Sequence, residues 1–150
     1  MAMEELEYDS VPMKSTNYTS TTTLMRGMRC RTVFLHSEQS MATDVPQSLG
    51  GLGEMPPPGA VLAATLASCM LSVLAFVAKR RGMELKDIRI HAACTEGAQG
   101  ISGFELDICA PEDTPEEWRS IMQNTVKNCP VANALRTDIP KNIRWHFTEA

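Results

Sequence analysis

An α+β domain, with antiparallel sheets packed around one long buried helix, is the fold class this 150-residue sequence predicts. Three observations carry that expectation. The run PPPGAVLAATLASCMLSVLAFVAKRRG, from Pro56 to Gly82, is apolar and free of charge between Ala60 and Ala78 and ends in a basic cluster and a glycine. Short stretches of alternating apolar and polar residues lie on both sides of it. A second helical pattern, opened by Thr114-Pro115-Glu116-Glu117, precedes a last alternating stretch.

Taken in order, residues 1–15 are polar and without period, and are expected to be a mobile arm or a loosely attached edge. Residues 19–26 and 28–36 predict strands rich in Thr and Val, with Gly27 as the turn between them and a third short strand over 40–45, together an antiparallel meander. Arg29, Arg31 and Val33 fall on one face of the second strand, and Cys30, Thr32 and Phe34 on the other. Residues 46–59 are dense in Gly and Pro and read as a loop.

The central helix follows. Pro58 suits its first position, because the missing N–H would be unpaired there anyway. Lys79, Arg80 and Arg81 complement the dipole at its other end, and Gly82 can supply a left-handed cap. A helix apolar on nearly every face belongs in a large core, a subunit interface or a bilayer. The run is about long enough to span a membrane, which takes about 20 residues. Its Ala, Ser, Thr and Met content, and flanking strands that must fold as one sheet, favour a buried helix shared with a second subunit.

Beyond it, residues 87–94 and 103–109 alternate and predict a hairpin, linked by the polar segment from Thr95 to Ser102. Thr114 is the expected N-cap of the next helix, with Pro115 at its first position and Glu117 completing a capping box. That helix ends near Asn128, a short helix is expected over 131–136, and residues 142–148 close the chain as a strand.

Composition narrows the function. With 43% hydrophobic residues the chain forms a real core, as one domain spanning residues 1–150. A formal charge of −4 gives no support for nucleic-acid binding. The acidic N-terminus lacks an apolar segment, so no secretory signal is expected. Cysteines at 30, 69, 94, 109 and 129 form no C-x-x-C pair and are odd in number, which argues against a disulfide framework and for a reducing cytoplasm. His36, His91 and His146 are dispersed, unlike the close-spaced ligands of a zinc site, so no metal site is expected. Ten Met against 5% aromatics point to pockets lined by aliphatic and thioether side chains.

Two cysteines stand out. Cys69 lies in the middle of the central helix, where a buried thiol is ordinarily inert. Cys129 directly precedes Pro130 at a helix start, where partial positive charge is expected to lower a thiol pKa. Cys30, Cys94 and Cys109 sit in strand patterns and read as packing residues.

The segments LAATLASC (62–69) and NCPVANAL (128–135), in this order and with this pattern of elements, resemble the OsmC/Ohr family of thiol peroxidases, in its broader OsmC-like branch. The resemblance runs from Ser20 to the C-terminus. It implies an intertwined homodimer with two central helices at its core and an active site at the subunit interface that needs no metal or bound cofactor. It implies that Cys69 attacks a peroxide and becomes a sulfenic acid, that Cys129 condenses with it to a disulfide, and that a dithiol reductant, a lipoylated protein in some members, resets the pair. It also implies an arginine from the N-terminal strands beside the thiolate, held by a glutamate just before the central helix. Arg29 and Arg31, with Arg26 nearby, are the candidates, and they stay undecided here. The dedicated reductases of the family carry Glu right after the proline that aligns with Pro58, whereas this chain has Gly59, and its nearest carboxylate is Glu54. The alternative reading is a non-catalytic dimer that binds a small hydrophobic ligand between its helices.

Overall fold

The computed structural model of the chain describes residues 18–149; the expected arm over residues 1–15 lies outside them. Strands β1 (Ser20–Leu24), β2 (Cys30–Phe34) and β3 (Ser40–Thr43) form an antiparallel sheet in that order. A single 3-10 turn (Gln47–Leu49) and the proline-rich loop lead into helix α1 (Pro58–Arg80). Strands β4 (Arg89–Gly97) and β5 (Gly100–Pro111) follow, then helices α2 (Glu116–Val126) and α3 (Pro130–Ala134), and strand β6 (Lys141–Thr148). The second sheet has the order β4-β5-β6.

Helix α1 begins and ends where its sequence signals stand. Pro58 occupies the first turn, and Gly82 takes a left-handed φ of 72° so that the Met83 N–H reaches the Ala78 carbonyl at 2.8 Å. Gly59, Ala63, Leu66, Ala67, Met70, Leu74 and Ala78 form a buried stripe at helical spacing. Leu66, Met70 and Leu74 pack in one core with Phe104, Leu106, Ile108 and Ala110 of β5, Met122 and Val126 of α2, and Cys129 and Ala132 of α3.

The opposite side of α1 is open in a single chain. Ala60, Ala64, Ser68 and Ser72 form an exposed row of small residues four apart, continued by Phe76 at 61% exposure. The hydroxyls nearby are turned inward: Thr65 donates to the Val61 carbonyl and Ser72 to that of Ser68, each at 2.9 Å. Two of the hydroxyls on or beside this face are thus satisfied within the helix. By length and composition α1 is also apolar enough to cross a membrane. Its extensive packing is on β4, β5, α2 and α3, and the first sheet has no comparable packing on it.

Three sequence expectations need correction. The last strand is not antiparallel: β6 runs parallel to β5, pairing Leu106 with Ile143 and Ile108 with Trp145. The reason is the connection, since the chain returns from β5 through α2 and α3, and a helical crossover delivers a strand in the same direction. The link from Thr95 to Ser102 is not a loop either. Both strands extend to Gly97 and Gly100, with a bulge between Thr95 and Glu96 and a φ of 105° at Gly100 closing a tight turn. Finally, the capping box at α2 does not form. Pro115 is the N-cap, and the Thr114 hydroxyl instead donates to the Pro111 carbonyl at 2.6 Å, closing the turn out of β5. Arg119 ties down the same corner through the Thr114 and Glu112 carbonyls, at 2.9 and 2.6 Å, while its guanidinium lies 4.2 Å over the Phe147 ring.

Candidate active site

Two clusters contain the residues singled out from the sequence. The first is a pair of thiols. Cys69 sits half-buried in the middle of α1, and Cys129 is the N-cap of α3, fully buried in the core. The chain places Cys129 there because α2 stops at Val126 and Pro130 restarts the helix one turn away. Its Sγ accepts the Ala132 N–H at 3.3 Å, and the Cys69 side chain is near enough to act on its protonation. Both thiols are free.

The expected low pKa at Cys129 is not found. Burial pushes this thiol up, the Ala132 N–H pulls it down, Cys69 pushes it up again, and the net direction is upward. Helix α3 has only five residues, so the favourable field at its start is weak against the cost of ionising a sulfur inside the core.

The second cluster is built on the first sheet. Arg29, just before β2, donates from Nη2 to two carboxylates, Asp44 at 3.2 Å and Glu54. These bonds raise the Arg29 pKa, Glu54 more than Asp44. Asp44 follows β3 and is 1% exposed. Its Oδ1 also accepts the N–H groups of Val45 at 2.8 Å and Leu52 at 3.4 Å. Burial pushes the Asp44 carboxyl up, but hydrogen bonds from Val45, Arg29 and Leu52 outweigh it and hold the group below the ordinary aspartate range. Arg31, one residue pair along the strand, has no ion pair among the described residues, and the Nε atoms of both Arg29 and Arg31 are buried without a hydrogen-bond partner. Arg26 closes the preceding turn, its carbonyl accepting the Arg29 N–H at 3.2 Å.

The structure thus brings Cys69 to Cys129 and Arg29 to Glu54. Within one chain no hydrogen bond or ion pair among the described residues joins the two clusters. Asp44 is the residue that sequence reading missed. A short polar residue at a strand end looks like a turn former, and only the meeting of three segments buries it.

Gly59 has a packing reason. A Cβ at this position would lie 2.6 Å from Glu96 Oε1 and 2.8 Å from Cys94 Sγ, because the first turn of α1 presses directly on β4. A glutamate has no room here, and the carboxylate beside this turn comes instead from Glu96 on the neighbouring strand. Among the described residues no group of three or more His, Cys, Asp or Glu side chains is arranged to hold a metal.

Comparison with known proteins agrees with this architecture. The crystal structure of a protein from Psychrobacter arcticus, named for osmotic stress induction and a detoxification response, superposes with a TM-score of 0.83 at 26% identity, covering 89% of this chain and 99% of that one. An organic hydroperoxide resistance protein from Elizabethkingia anophelis gives 0.66 at 22% identity, over 91% of this chain and 100% of that one. OhrB, the organic hydroperoxide resistance protein of Bacillus subtilis, gives 0.62 at 19% identity, over 86% and 98%. The likeness to the last two is one of fold. No curated protein matches by sequence. The family description "OsmC-like protein" matches residues 51–144, which takes in α1 with Cys69, β4, β5, the turn that carries Cys129 and the first half of β6. The chain belongs to the OsmC-like protein family.

Proposed function

We propose that this protein is a cysteine-based reductase of organic hydroperoxides, working as a homodimer in oxidative stress defence. The observation that carries the reading is the proximity of Cys69 and Cys129, one partly buried against the core cluster that holds the other. The Cys69 thiolate attacks the distal oxygen of a hydroperoxide, the O–O bond breaks, and the alcohol leaves after taking a proton, with Cys69 left as a sulfenic acid. The Cys129 thiol then displaces that oxygen as water, and a Cys69–Cys129 disulfide forms. A dithiol, such as a lipoylated protein, reduces the disulfide by two exchange steps and restores both thiols.

The division of labour follows the environments. Cys69 is partly accessible and can meet a peroxide, whereas Cys129 is buried and holds its proton, so it does not compete for the peroxide and must lose that proton to attack in the second step. The cation for the Cys69 thiolate is Arg29, held by Glu54, contributed by the partner copy. Support for that comes from the open face of α1, with its row of small residues, and from a first sheet that carries the arginine but packs little on its own helix. Two copies that exchange these parts cover both helices and complete both sites. Free cysteines fit a reducing compartment such as the cytoplasm.

The ligand-binding alternative drew on Gly59 and on the Met-rich composition. The close approach of α1 to β4 accounts for that glycine, which leaves the alternative resting on composition alone.

The test is to add a slight excess of cumene hydroperoxide to the reduced protein, count thiols and locate new bonds by mass spectrometry. Two thiols are lost to a Cys69–Cys129 bond, and in Cys129→Ser a sulfenic acid stays on Cys69. Survival of all five thiols would sink the peroxidase reading.

A further inference from the structure

Asp44 is the one charged side chain among the described residues that folding removes almost wholly from solvent. Such burial is costly unless every acceptor is used, and a neutral residue would serve a purely structural corner at lower cost. Asp44 uses its acceptors on three different segments. Oδ2 takes the Arg29 Nη2, Oδ1 takes the Val45 N–H at its own strand end, and Oδ1 also takes the Leu52 N–H from the loop before α1. Its backbone N–H donates to the Pro56 carbonyl at 3.2 Å, and the adjoining Val45 carbonyl accepts the Gly53 N–H at 3.1 Å. One residue therefore fixes an arginine and the course of the loop that carries that arginine's other partner, Glu54.

The two carboxylates differ in what they can hold. The Glu54 side chain is 59% exposed and sits on the loop, so alone it would leave Arg29 tied to a mobile solvated group. The Asp44 side chain is fully buried and anchored at the end of a strand. Both bind the same nitrogen, Nη2, which pins one corner of the guanidinium and leaves the buried Nε unused. The guanidinium is thus anchored at Nη2 by a rigid, buried partner, and its remaining donors stay free for another acceptor.

Resting on the peroxidase reading above, we infer that Asp44 is the positioning residue of the site: it aims the Arg29 guanidinium at the Cys69 thiolate and keys the loop carrying Glu54 to that same arginine. Glu54 balances charge, and Asp44 sets direction.

Asp44→Asn separates aim from architecture. It has the same shape and still accepts the N–H groups of Val45 and Leu52 through its amide oxygen, but it presents no negative charge to Arg29. In a Cys129→Ser background, two rates are followed at Cys69 by mass spectrometry: alkylation by iodoacetamide across a pH series, and oxidation by cumene hydroperoxide. A misplacement of about 1 Å can cost up to about a hundredfold in rate, and for Asp44→Asn we expect roughly tenfold slower oxidation with the alkylation midpoint moved to higher pH. Asp44→Glu keeps the charge but displaces it, and gives a smaller shift. Arg29→Gln gives the full shift, and adding Asp44→Asn to it changes nothing further, because the effect travels through Arg29.

A folded Asp44→Asn protein with wild-type midpoint and rate overturns the inference. So does a loss that adds to that of Arg29→Gln, which would make Asp44 a loop anchor only. Should Asp44→Asn fail to fold, a folded Asp44→Glu protein with an unmoved midpoint overturns it equally. A parent protein that leaves cumene hydroperoxide intact overturns the peroxidase reading instead, and the alkylation series still decides the role of Asp44.

Discussion

The half-buried Cys69 side chain of α1 meets the fully buried Cys129 thiol at the start of α3, and Cys129 holds its proton more tightly than an ordinary thiol. Resolution of a Cys69 sulfenic acid needs that proton to leave. Below a raised pKa the thiolate fraction grows about tenfold per pH unit, so disulfide formation should accelerate from pH 6 to pH 9. Stopped-flow measurement of the loss of dimedone-trappable sulfenic acid over that range checks it. A flat profile would mean that another base removes the proton.

On the outer face of the second sheet, Asp107 accepts from Arg144 Nε at 2.9 Å and Nη2 at 2.6 Å, and pairs with His146 Nε2 at 2.7 Å. These bonds, Arg144 first, hold the Asp107 carboxyl far below its ordinary value of 3.8. A carboxyl whose pKa is depressed by folding stabilises the fold above its unfolded pKa and loses that contribution as pH falls below it. Asp107→Asn should therefore lower Tm at pH 7, and the gap to wild type should narrow below about pH 4. Equal Tm differences at pH 7 and pH 3 would contradict the pairing.

Gly59→Ala should destabilise the protein, although replacing glycine in a helix ordinarily helps by about 1 kcal/mol. The new methyl meets Cys94 Sγ on a strand as well as the flexible end of Glu96, and overpacking of this kind costs about 1–3 kcal/mol. Urea unfolding of the two proteins measures the difference, and a stabilised variant would show that β4 yields freely here.

Ala64→Arg tests the open face of α1. Ala64 is exposed in a single chain and has nothing there to clash with, so the secondary structure seen by circular dichroism should persist. If a second copy covers this row of small residues, two arginines meet at the seam and sedimentation should show loss of the dimer. Unchanged sedimentation as a dimer would put the interface elsewhere.

What could be read from the sequence depended on whether a feature is local. The ends of α1 were legible because Pro58, the basic last turn and Gly82 act within a few residues of themselves. The meander of the first sheet was legible because Gly27 and the Thr-rich strands are adjacent in the chain. The direction of β6 was not, since nothing within Lys141–Thr148 encodes it and the crossover through α2 and α3 does. The two ends of the site behaved alike. Cys69 and Cys129 were found as residues, but the balance of forces on Cys129 depends on core burial that no neighbour in sequence reveals. Arg29 and Arg31 could not be told apart on one strand face, and the structure distinguishes them by Asp44, brought in from another strand.

Cys129 belongs to the same packed cluster as Leu66, Met70, Phe104 and Val126. A sulfur in that position is a building stone as well as a reagent. Any oxidation there is felt by the packed core itself, so the heat needed to melt the molecule becomes a gauge of its redox history. Calorimetry of reduced and peroxide-treated samples would then read, without any chemical label, how many molecules have met an oxidant and not yet been reset.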